Sequence, residues 1–217
     1  MKKYSEYRAL ARETLKGRWN EMALLALVIS AIGIFLSTPT LIGALAEIRW
    51  LTIGGYGCNY VLAFLIAVPL TFAFYNLCLT YARREELEGS YLAALFKEFS
   101  KNWGKYVLCF LLMFVIIFLI TIPTLMIGAI ILGLAYGMVP YIIHDNPEIG
   151  VRDALKRSRL MMRGHKWQLF VLQLTFIGWA LLCLLTFGIG FLWLTPYQYT
   201  AIAHFYDDVK AEYEAQQ

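Results

Sequence analysis

Four long stretches of this 217-residue sequence contain no charged residue. Asp, Glu, Lys and Arg are all absent from residues 22–45, 51–82, 106–143 and 167–205. Over the whole chain, charged residues make up 16% and hydrophobic residues 60%, whereas an ordinary soluble domain is about 25% charged. A helix needs about 20 apolar residues to cross the hydrocarbon core of a bilayer, and all four stretches are that long. The absence of charge therefore argues against a soluble domain and predicts a multi-pass membrane protein.

The sequence also lacks the cysteine spacing of a metal site or a redox pair. None of its four cysteines belongs to a CxxC motif, and most of them lie within the apolar stretches. This placement is typical of small hydrophobic residues in helices, and a metal site or a disulfide framework is the alternative. The four are Cys58, Cys78, Cys109 and Cys183.

Motifs of catalysis and ligand binding are missing as well. No P-loop, no G-x-S-x-G and no G-x-G-x-x-G sequence occurs. Three histidines, His144, His165 and His204, are expected near one membrane interface, where Asp145 and Asp207 could supply oxygen ligands. No two of the histidines stand four residues apart, so their spacing does not support a metal site. We therefore predict no catalytic residue, no cofactor and no metal ion.

The apolar stretches divide into about six spans. The two longest are nearly twice the length of one span, and each contains turn-forming residues: Pro123 in one, Gly188 and Gly190 in the other. The predicted fold is all-α, a polytopic membrane helix bundle of three hairpins with interfacial amphipathic helices. Pro196 and several polar groups leave a re-entrant segment at 187–206 as the alternative to the last span. The expected spans are residues 22–45, 59–81, 104–121, 124–143, 167–186 and 190–206.

The positions of Lys and Arg predict the orientation of these spans. Six spans place 18 of the 19 Lys and Arg residues on one side of the membrane and only Arg49 on the other. Cytoplasmic loops are enriched in Lys and Arg, so we expect both termini of this single membrane domain, residues 1–217, to be cytoplasmic. The cytoplasmic parts are then a basic amphipathic segment at 1–21, interfacial loops at 83–103 and 144–166, and a tail at 207–217.

A weak internal repeat follows from the same pattern. Each of the three cytoplasmic segments that precede a hairpin contains an Ala-Leu pair, continues as a basic amphipathic stretch, and reaches a tryptophan where the hairpin begins. These tryptophans, Trp19, Trp103 and Trp167, suit the headgroup level of a bilayer. The pattern fits a triplicated unit of one interfacial helix and two spans. It fits three unrelated segments with the same interfacial role equally well.

The third cytoplasmic segment predicts a helix with a basic face. Asp145 or Asn146 can cap this helix, and Pro147 suits its first turn. Its apolar face includes Ser158, and its bases form a separate stripe at spacings of four, three and four residues. We expect this helix to contact the anionic cytoplasmic leaflet; a solvated face that serves only topology is the alternative. The candidate lipid contacts are Arg152, Lys156, Arg159 and Arg163 in the stripe, and Lys166 beyond it.

Apart from Lys105, at the start of the third span, the predicted spans contain no Asp, Glu, Lys or Arg, which argues against an ion-driven carrier. Among their polar residues, Asn76 and Gln173 are favoured as hydrogen-bonding contacts between helices, with substrate contact as the alternative. A transport cavity would draw on these two side chains and on Tyr197.

The second half of the chain carries the pattern "DNPEIG…AL..S..LM.GHKW…F.L..TFIGW…LT.GIGFLW..PY…A.FY". This pattern resembles an uncharacterised family of bacterial integral membrane proteins, one of the domains of unknown function. The resemblance is strong over residues 136–208 and loose over the first half. It implies a multi-pass protein of the bacterial cell membrane, and it transfers no catalytic residue because the family has no established activity. Residues that carry it include Asp145, Asn146, Pro147, Gly164, His165, Lys166, Gly178, Trp179, Gly188, Gly190, Trp193, Pro196 and Tyr197.

Three functions remain open at this point. The favoured hypothesis is a non-enzymatic component that organises or senses the bilayer, or that acts as a scaffold for a partner. The second is a permease or export-associated subunit for an apolar or amphipathic solute, and the third is an enzyme acting on lipid headgroups. The expected partner is the bilayer, chiefly its anionic cytoplasmic leaflet; a protein partner or a second copy of the chain is possible. The net charge of +4 lies beside the spans, so no nucleic-acid partner is expected.

Overall fold

The computed structural model describes residues 2–45, 61, 63–85, 90–121 and 127–215. Within these residues the chain is helical and contains no strand, so the predicted all-α class is confirmed. Three expectations lie outside the described residues: the side of the membrane assigned to Arg49, the interpretation of Cys58 as a small hydrophobic residue, and the turn at Pro123.

The described residues of the first half form α-helices, with a short π-helical segment, Ala63–Ala67, directly before the helix that begins at Val68. Trp19 and Trp103 are the first residues of α2 and α5, each just after an amphipathic helix. The chain bends by 95° between α1 and α2 and by 66° between α4 and α5. The helices are α1 Tyr4–Leu15, α2 Trp19–Leu45, α3 Val68–Ala82, α4 Tyr91–Lys101 and α5 Trp103–Thr121.

The second half forms shorter helices and one long one. Two of the predicted spans are interrupted: one breaks at residues 137–138, just before Pro140, and the other breaks at 175–176. The last helix, α11, continues through the predicted tail as far as Ala215. The helices are α6 Ile127–Tyr136, α7 Val139–Asp145, α8 Val151–Met161, α9 Lys166–Leu174, α10 Ile177–Leu185 and α11 Phe191–Ala215.

The helix with the basic face begins later than the sequence indicates. Its N-cap is Gly150 and its first residue is Val151, so the predicted start at Pro147 is wrong. The predicted cap, Asp145, ends the preceding helix, and its carboxylate is bound by side chains of other helices. The competing ionic contacts explain the difference, because that carboxylate accepts hydrogen bonds from cations instead of from backbone N–H groups.

Helix α11 is the centre of the bundle. It packs most extensively against α1, α2 and α3, and its buried face includes Ala201, Ala203 and Phe205, none of which is exposed. Small alanine side chains allow neighbouring helices to approach closely, as is common where helices pack inside a membrane. The predicted last span therefore lies at the centre of the helix packing.

The chain turns between α10 and α11 at residues 186–190, where the paired glycines predict a turn. Gly188 has a φ of +86°, a left-handed conformation that glycine adopts without strain. Gly190 lies so close to α10 that an added Cβ would stand 2.7 Å from Sγ of Cys183. Glycine is thus required at position 188 by the backbone conformation and at position 190 by the close packing against Cys183.

Among the residues that the structure describes, three helical segments are long and apolar enough to cross a membrane: Leu65–Ala82, Gly128–Asp145 and Lys166–Leu185. The number rises to five if the bent pairs α1–α2 and α4–α5 each count as one span, which compares with about six expected. The predicted span 190–206 is not among them, because the Tyr, Thr and Gln residues of α11 make that helix more polar.

Large apolar side chains are exposed mainly on α2, α5, α6 and the hairpin of α10 and α11. The exposed fraction reaches 76% at Phe35 and 99% at Phe187. A soluble protein rarely exposes a large contiguous apolar patch, and such a patch marks a membrane or protein contact. This surface is consistent with a location in a membrane.

Candidate functional site

Four charged side chains and one tyrosine meet at one end of the bundle. Arg83 directly follows α3, and Asp145 is the last residue of α7. Tyr206, Asp207 and Lys210 lie within about one turn of each other on α11. We call these five residues the ionic cluster.

The guanidinium of Arg83 connects the two carboxylates of the cluster. Its Nη1 and Nη2 donate hydrogen bonds to Oδ1 and Oδ2 of Asp145, at 2.6 and 2.9 Å. Its Nε and Nη2 also donate to Oδ1 of Asp207, at 3.0 and 2.7 Å. Oδ2 of Asp145 accepts two further hydrogen bonds, from Nζ of Lys210 at 2.6 Å and from the hydroxyl of Tyr206 at 2.9 Å. The cluster therefore joins α3, α7 and α11.

The cluster contains two positive and two negative charges and is largely withdrawn from water. The Asp145 side chain is 6% exposed, and Arg83 is 24% exposed. The hydrogen bonds to Asp145 raise the pKa of the Arg83 guanidinium above its already high ordinary value. A buried charge is tolerated only when it is paired, and here each charge has its partner. This arrangement suits a clamp between helices rather than a free acid or base.

A row of tyrosines leads from the ionic cluster into the bundle. The ring of Tyr206 stacks on Tyr141 at 5.2 Å between centroids, and Tyr141 lies 6.4 Å from Tyr75 in a similar orientation. Tyr75 and Tyr199 are 4.1 Å apart, and the hydroxyl of Tyr75 donates a hydrogen bond to that of Tyr199 at 2.8 Å.

The row ends at a cavity of about 440 Å³ between α6, α9 and α11. Gly133 and Gly137 leave space on one wall, Tyr75 and Tyr199 form part of another, and Gln173 contributes an amide. An apolar pocket with a few polar groups is the usual form of a small-molecule site. The chemistry here suits an amphipathic solute without charge.

The structure does not bring together the three polar residues that the sequence marks as intramembrane candidates. Gln173 lines the cavity, whereas Asn76 is fully buried between α3 and α5, where its Nδ2 donates to the Tyr106 hydroxyl at 2.6 Å. Tyr197 packs its ring edge-on against Trp19 at 6.0 Å, in a separate groove. Asn76 thus makes the contact between helices that was expected of it.

The predicted lipid-contacting helix, α8, is packed on the bundle by its apolar face. Ser158 on that face is fully buried, and its hydroxyl donates a hydrogen bond to the carbonyl of Ala135 at 2.8 Å. The stripe residues lie on the opposite, exposed side, and Lys166 begins the next helix, partly buried. The exposed stripe residues are Arg152, Lys156, Arg159 and Arg163.

The three histidines are dispersed. His144 contacts Glu98 at 3.2 Å, and His204 contacts Thr14 at 3.0 Å. His165 contacts a glutamine one turn further along α9. Among the described residues, no group of three His, Cys, Asp or Glu side chains is arranged to hold a metal ion.

The ionic cluster was missed by sequence reasoning, although the sequence contains a signal for it. Asp145 and Asp207 each stand one or two residues after an apolar stretch, and Arg83 directly follows another. Carboxylates and a guanidinium at the same predicted membrane level are expected to pair, because an unpaired charge there is costly. The charged residues beside the spans were used only to predict the orientation of the spans in the membrane, so the pairing of Arg83 with Asp145 and Asp207 was not predicted.

Comparison with known proteins identifies a family and no characterised relative. The sequence model of a family described as "Protein of unknown function (DUF975)" matches residues 1–132 and 115–213. Together these ranges cover nearly the whole chain, including the ionic cluster, the cavity and α8. No curated protein and no solved structure matches the chain.

Proposed function

Because the chain belongs to the DUF975 family of proteins of unknown function, we propose for it a role that the geometry of the molecule supports best. The protein is a non-enzymatic, multi-pass component of the bacterial cell membrane that organises the surrounding bilayer or acts as a scaffold for a partner. Its termini are cytoplasmic, and its ionic cluster lies at the cytoplasmic membrane surface.

One observation carries this proposal: the exposed surface divides into an apolar part and a basic part, while the charges of the ionic cluster are paired with each other. The apolar part, with Phe118, Leu185 and Phe187, suits lipid tails. The basic stripe of α8 suits anionic headgroups, where each Lys or Arg near the surface is worth about 1 kcal/mol. The side chains of the ionic cluster, which make the strongest polar contacts, are engaged in holding helices together.

The enzyme hypothesis lacks the convergence that it requires. A lipid-headgroup enzyme needs interfacial His and Asp side chains around one reacting atom. In the described part of the chain, the histidines face separate partners, and Asp145 is engaged by Arg83 and Lys210. This arrangement favours the non-enzymatic role.

The test is reconstitution of the purified protein into vesicles with and without anionic lipid. We expect the protein to float with both kinds of vesicle and to resist extraction by carbonate. We also expect it to increase lipid order, reported by an environment-sensitive membrane dye, more strongly when anionic lipid is present. The matched control replaces the four stripe residues of α8 by Gln, which should reduce the anionic-lipid dependence and leave flotation unchanged. Extraction by carbonate, or unchanged lipid order in both vesicles, would contradict the proposal.

The tyrosine-lined cavity favours a second candidate, a permease for an apolar or amphipathic solute. Gln173 and the hydroxyls of Tyr75 and Tyr199 supply polar groups in an otherwise apolar space. Vesicles that contain the protein should then release a trapped amphipathic dye faster than empty vesicles do. The variant Gln173→Leu should change that rate, and Gln168→Leu, outside the cavity lining, should not.

A further inference from the structure

A groove of about 370 Å³ lies between α1, α10 and α11, on a different part of the bundle from the tyrosine-lined cavity. Its wall is unusually rich in tryptophan and has one charged residue. The residues that matter for its chemistry are Arg12, Trp19, Trp179, Cys183, Trp193 and Tyr197. We call it the tryptophan groove.

Two arginines stand at one end of the tryptophan groove. Arg12 lines the groove itself, and Arg8 lies one turn earlier on α1. Both interact electrostatically with Tyr197, so both are close to the groove. Neither arginine forms an ion pair with any residue that the structure describes, and Nε of Arg8 is buried there without a hydrogen-bond partner. A guanidinium with unused donors in this position is prepared for an anion.

Contacts of α1 place these arginines at the charged end of the bundle. Nζ of Lys2 pairs with Asp208 at 2.7 Å, and Glu13 pairs with Arg84 at 2.9 Å, next to the ionic cluster. From that end the groove continues along α10 and α11 towards the apolar turn at 186–190.

The remainder of the groove is apolar and open at its side. Trp179 and Trp193 are 52% and 43% exposed, and Leu182 is 55% exposed. Tyr197 and Cys183 form a buried floor. Tryptophan is enriched at the headgroup level of bilayers, where it contacts both acyl chains and polar groups. A soluble anion would leave these side chains without a partner, whereas a lipid would cover them.

We propose that the tryptophan groove binds one anionic glycerophospholipid of the cytoplasmic leaflet. Its phosphate contacts Arg8 and Arg12, because the planar guanidinium matches phosphate with two parallel hydrogen bonds. An acyl chain lies against Trp179, Leu182 and Trp193. The proposal rests on the membrane location proposed above, and it adds a defined site to the general contact of α8 with the leaflet.

Short-range quenching of tryptophan fluorescence by brominated acyl chains tests the proposal. The protein is reconstituted in phosphatidylcholine vesicles that contain a small fraction of either brominated phosphatidylglycerol or brominated phosphatidylcholine. We expect half-maximal quenching at an about tenfold lower fraction of the anionic brominated lipid, since two bases near the headgroup together favour it. In Trp19→Phe/Trp179→Phe/Trp193→Phe, which removes all three tryptophans of the groove, the remaining tryptophans should lose most of this preference.

The arginines are tested by a charge-matched pair of variants. Arg8→Gln/Arg12→Gln should reduce the tenfold preference to about equal quenching by the two lipids, whereas Arg159→Gln/Arg163→Gln, on the α8 stripe, should retain it. If the double variant on α1 does not fold, Arg12→Gln alone, whose side chain is exposed, should show a smaller loss in the same direction.

The results separate this proposal from the proposed function. The lipid site would be overturned if both brominated lipids quenched the wild type equally. It would also be overturned if the double variant on α1 and Arg12→Gln alone both kept the preference for the anionic lipid. In either case the protein would still float with the vesicles, so the membrane location would stand. If Arg159→Gln/Arg163→Gln lost the preference for the anionic lipid to the same extent, general surface charge would explain that preference, and the lipid site would also be overturned. A protein that does not float with vesicles would instead contradict the membrane role itself.

Discussion

Arg83 and Asp145 are 62 positions apart in the sequence and form a two-pronged ion pair, with N–O distances of 2.6 and 2.9 Å. The pair closes the end of the bundle where α3, α7 and α11 meet. Asp207 and Lys210 complete it, so that one arginine and one lysine balance two carboxylates. A bidentate arginine also fixes the angle between the groups that it joins, which a lysine cannot do.

Removal of this arginine is the most severe single change that we predict. Arg83→Ala leaves Asp145 buried beside one lysine, and breaking a buried pair from one side costs about 3 kcal/mol or more. The melting temperature of the purified protein in detergent should fall accordingly. The melting temperature of Arg83→Lys should lie between those of the wild type and the alanine variant, because the charge remains but the two parallel hydrogen bonds do not.

The neighbouring residue Arg84 is the matched control. Its ion pair with Glu13 is exposed, with 69% and 63% of the two side chains accessible, and exposed pairs contribute about 1 kcal/mol or less. Arg84→Gln should therefore leave the melting temperature nearly unchanged. Similar losses in Arg83→Ala and Arg84→Gln would show that the ionic cluster does not hold the helices together.

The helical class and the turn at 186–190 could be predicted because they depend on local chemistry. Missing charge over 20 or more residues indicates a span, and Gly188 has the left-handed φ that its position in the turn requires. A hydrogen bond from Asn76 to another helix was also expected from the general cost of a polar side chain among apolar helices, although its partner, Tyr106, was not predicted.

What the sequence did not reveal depends on long-range packing. The periodicity of α8 shows an apolar face but not what covers it, and protein and lipid suit such a face equally well. From the sequence alone, Ser158 therefore suits a position that faces lipid. The structure shows instead that its hydroxyl donates a hydrogen bond to the carbonyl of Ala135. Asp145 was interpreted as a cap because capping is local, whereas its real partners, Arg83 and Lys210, are distant in the sequence.

Ser158 provides a prediction that distinguishes these interpretations. Because the side chain is buried against α6, Ser158→Leu should overpack the contact and lower stability by about 1–3 kcal/mol. Ser158→Ala should cost about 1 kcal/mol through the lost hydrogen bond. Thermal unfolding in detergent measures both, and Arg159→Leu on the exposed side is the control. If Ser158 faced lipid instead, the leucine substitution would not lower the stability.

Lipid contact by the basic stripe of α8 stays a prediction, and we now expect it through long side chains rather than through an inserted apolar face. A fluorescent dye at Lys156→Cys should change its emission when anionic lipid is added to neutral vesicles. Salt should weaken the response, since the Debye length is about 8 Å at physiological ionic strength. The same dye on a variant with Gln at Arg152, Arg159 and Arg163 should respond less. An unchanged response would identify the stripe as a solvated face.

The close approach of Gly190 to Cys183 gives a last prediction, in which two substitutions compensate. Gly190→Ala places a methyl group 2.7 Å from Sγ and 3.1 Å from Cβ of Cys183, so α10 and α11 must separate, at a cost of about 1–3 kcal/mol. Adding Cys183→Ala removes the sulfur but leaves Cβ, and stability should therefore recover only in part. Gly178→Ala, which meets no atom within 4 Å, should be neutral or slightly stabilising because alanine favours a helix. Melting temperatures in one detergent measure this cycle for the wild type, the two single variants at positions 190 and 183, the double variant and the Gly178→Ala control. Strictly additive effects of the two substitutions at positions 190 and 183 would mean that the two helices are not in contact there, and the hairpin that forms one side of the tryptophan groove would have to be packed differently.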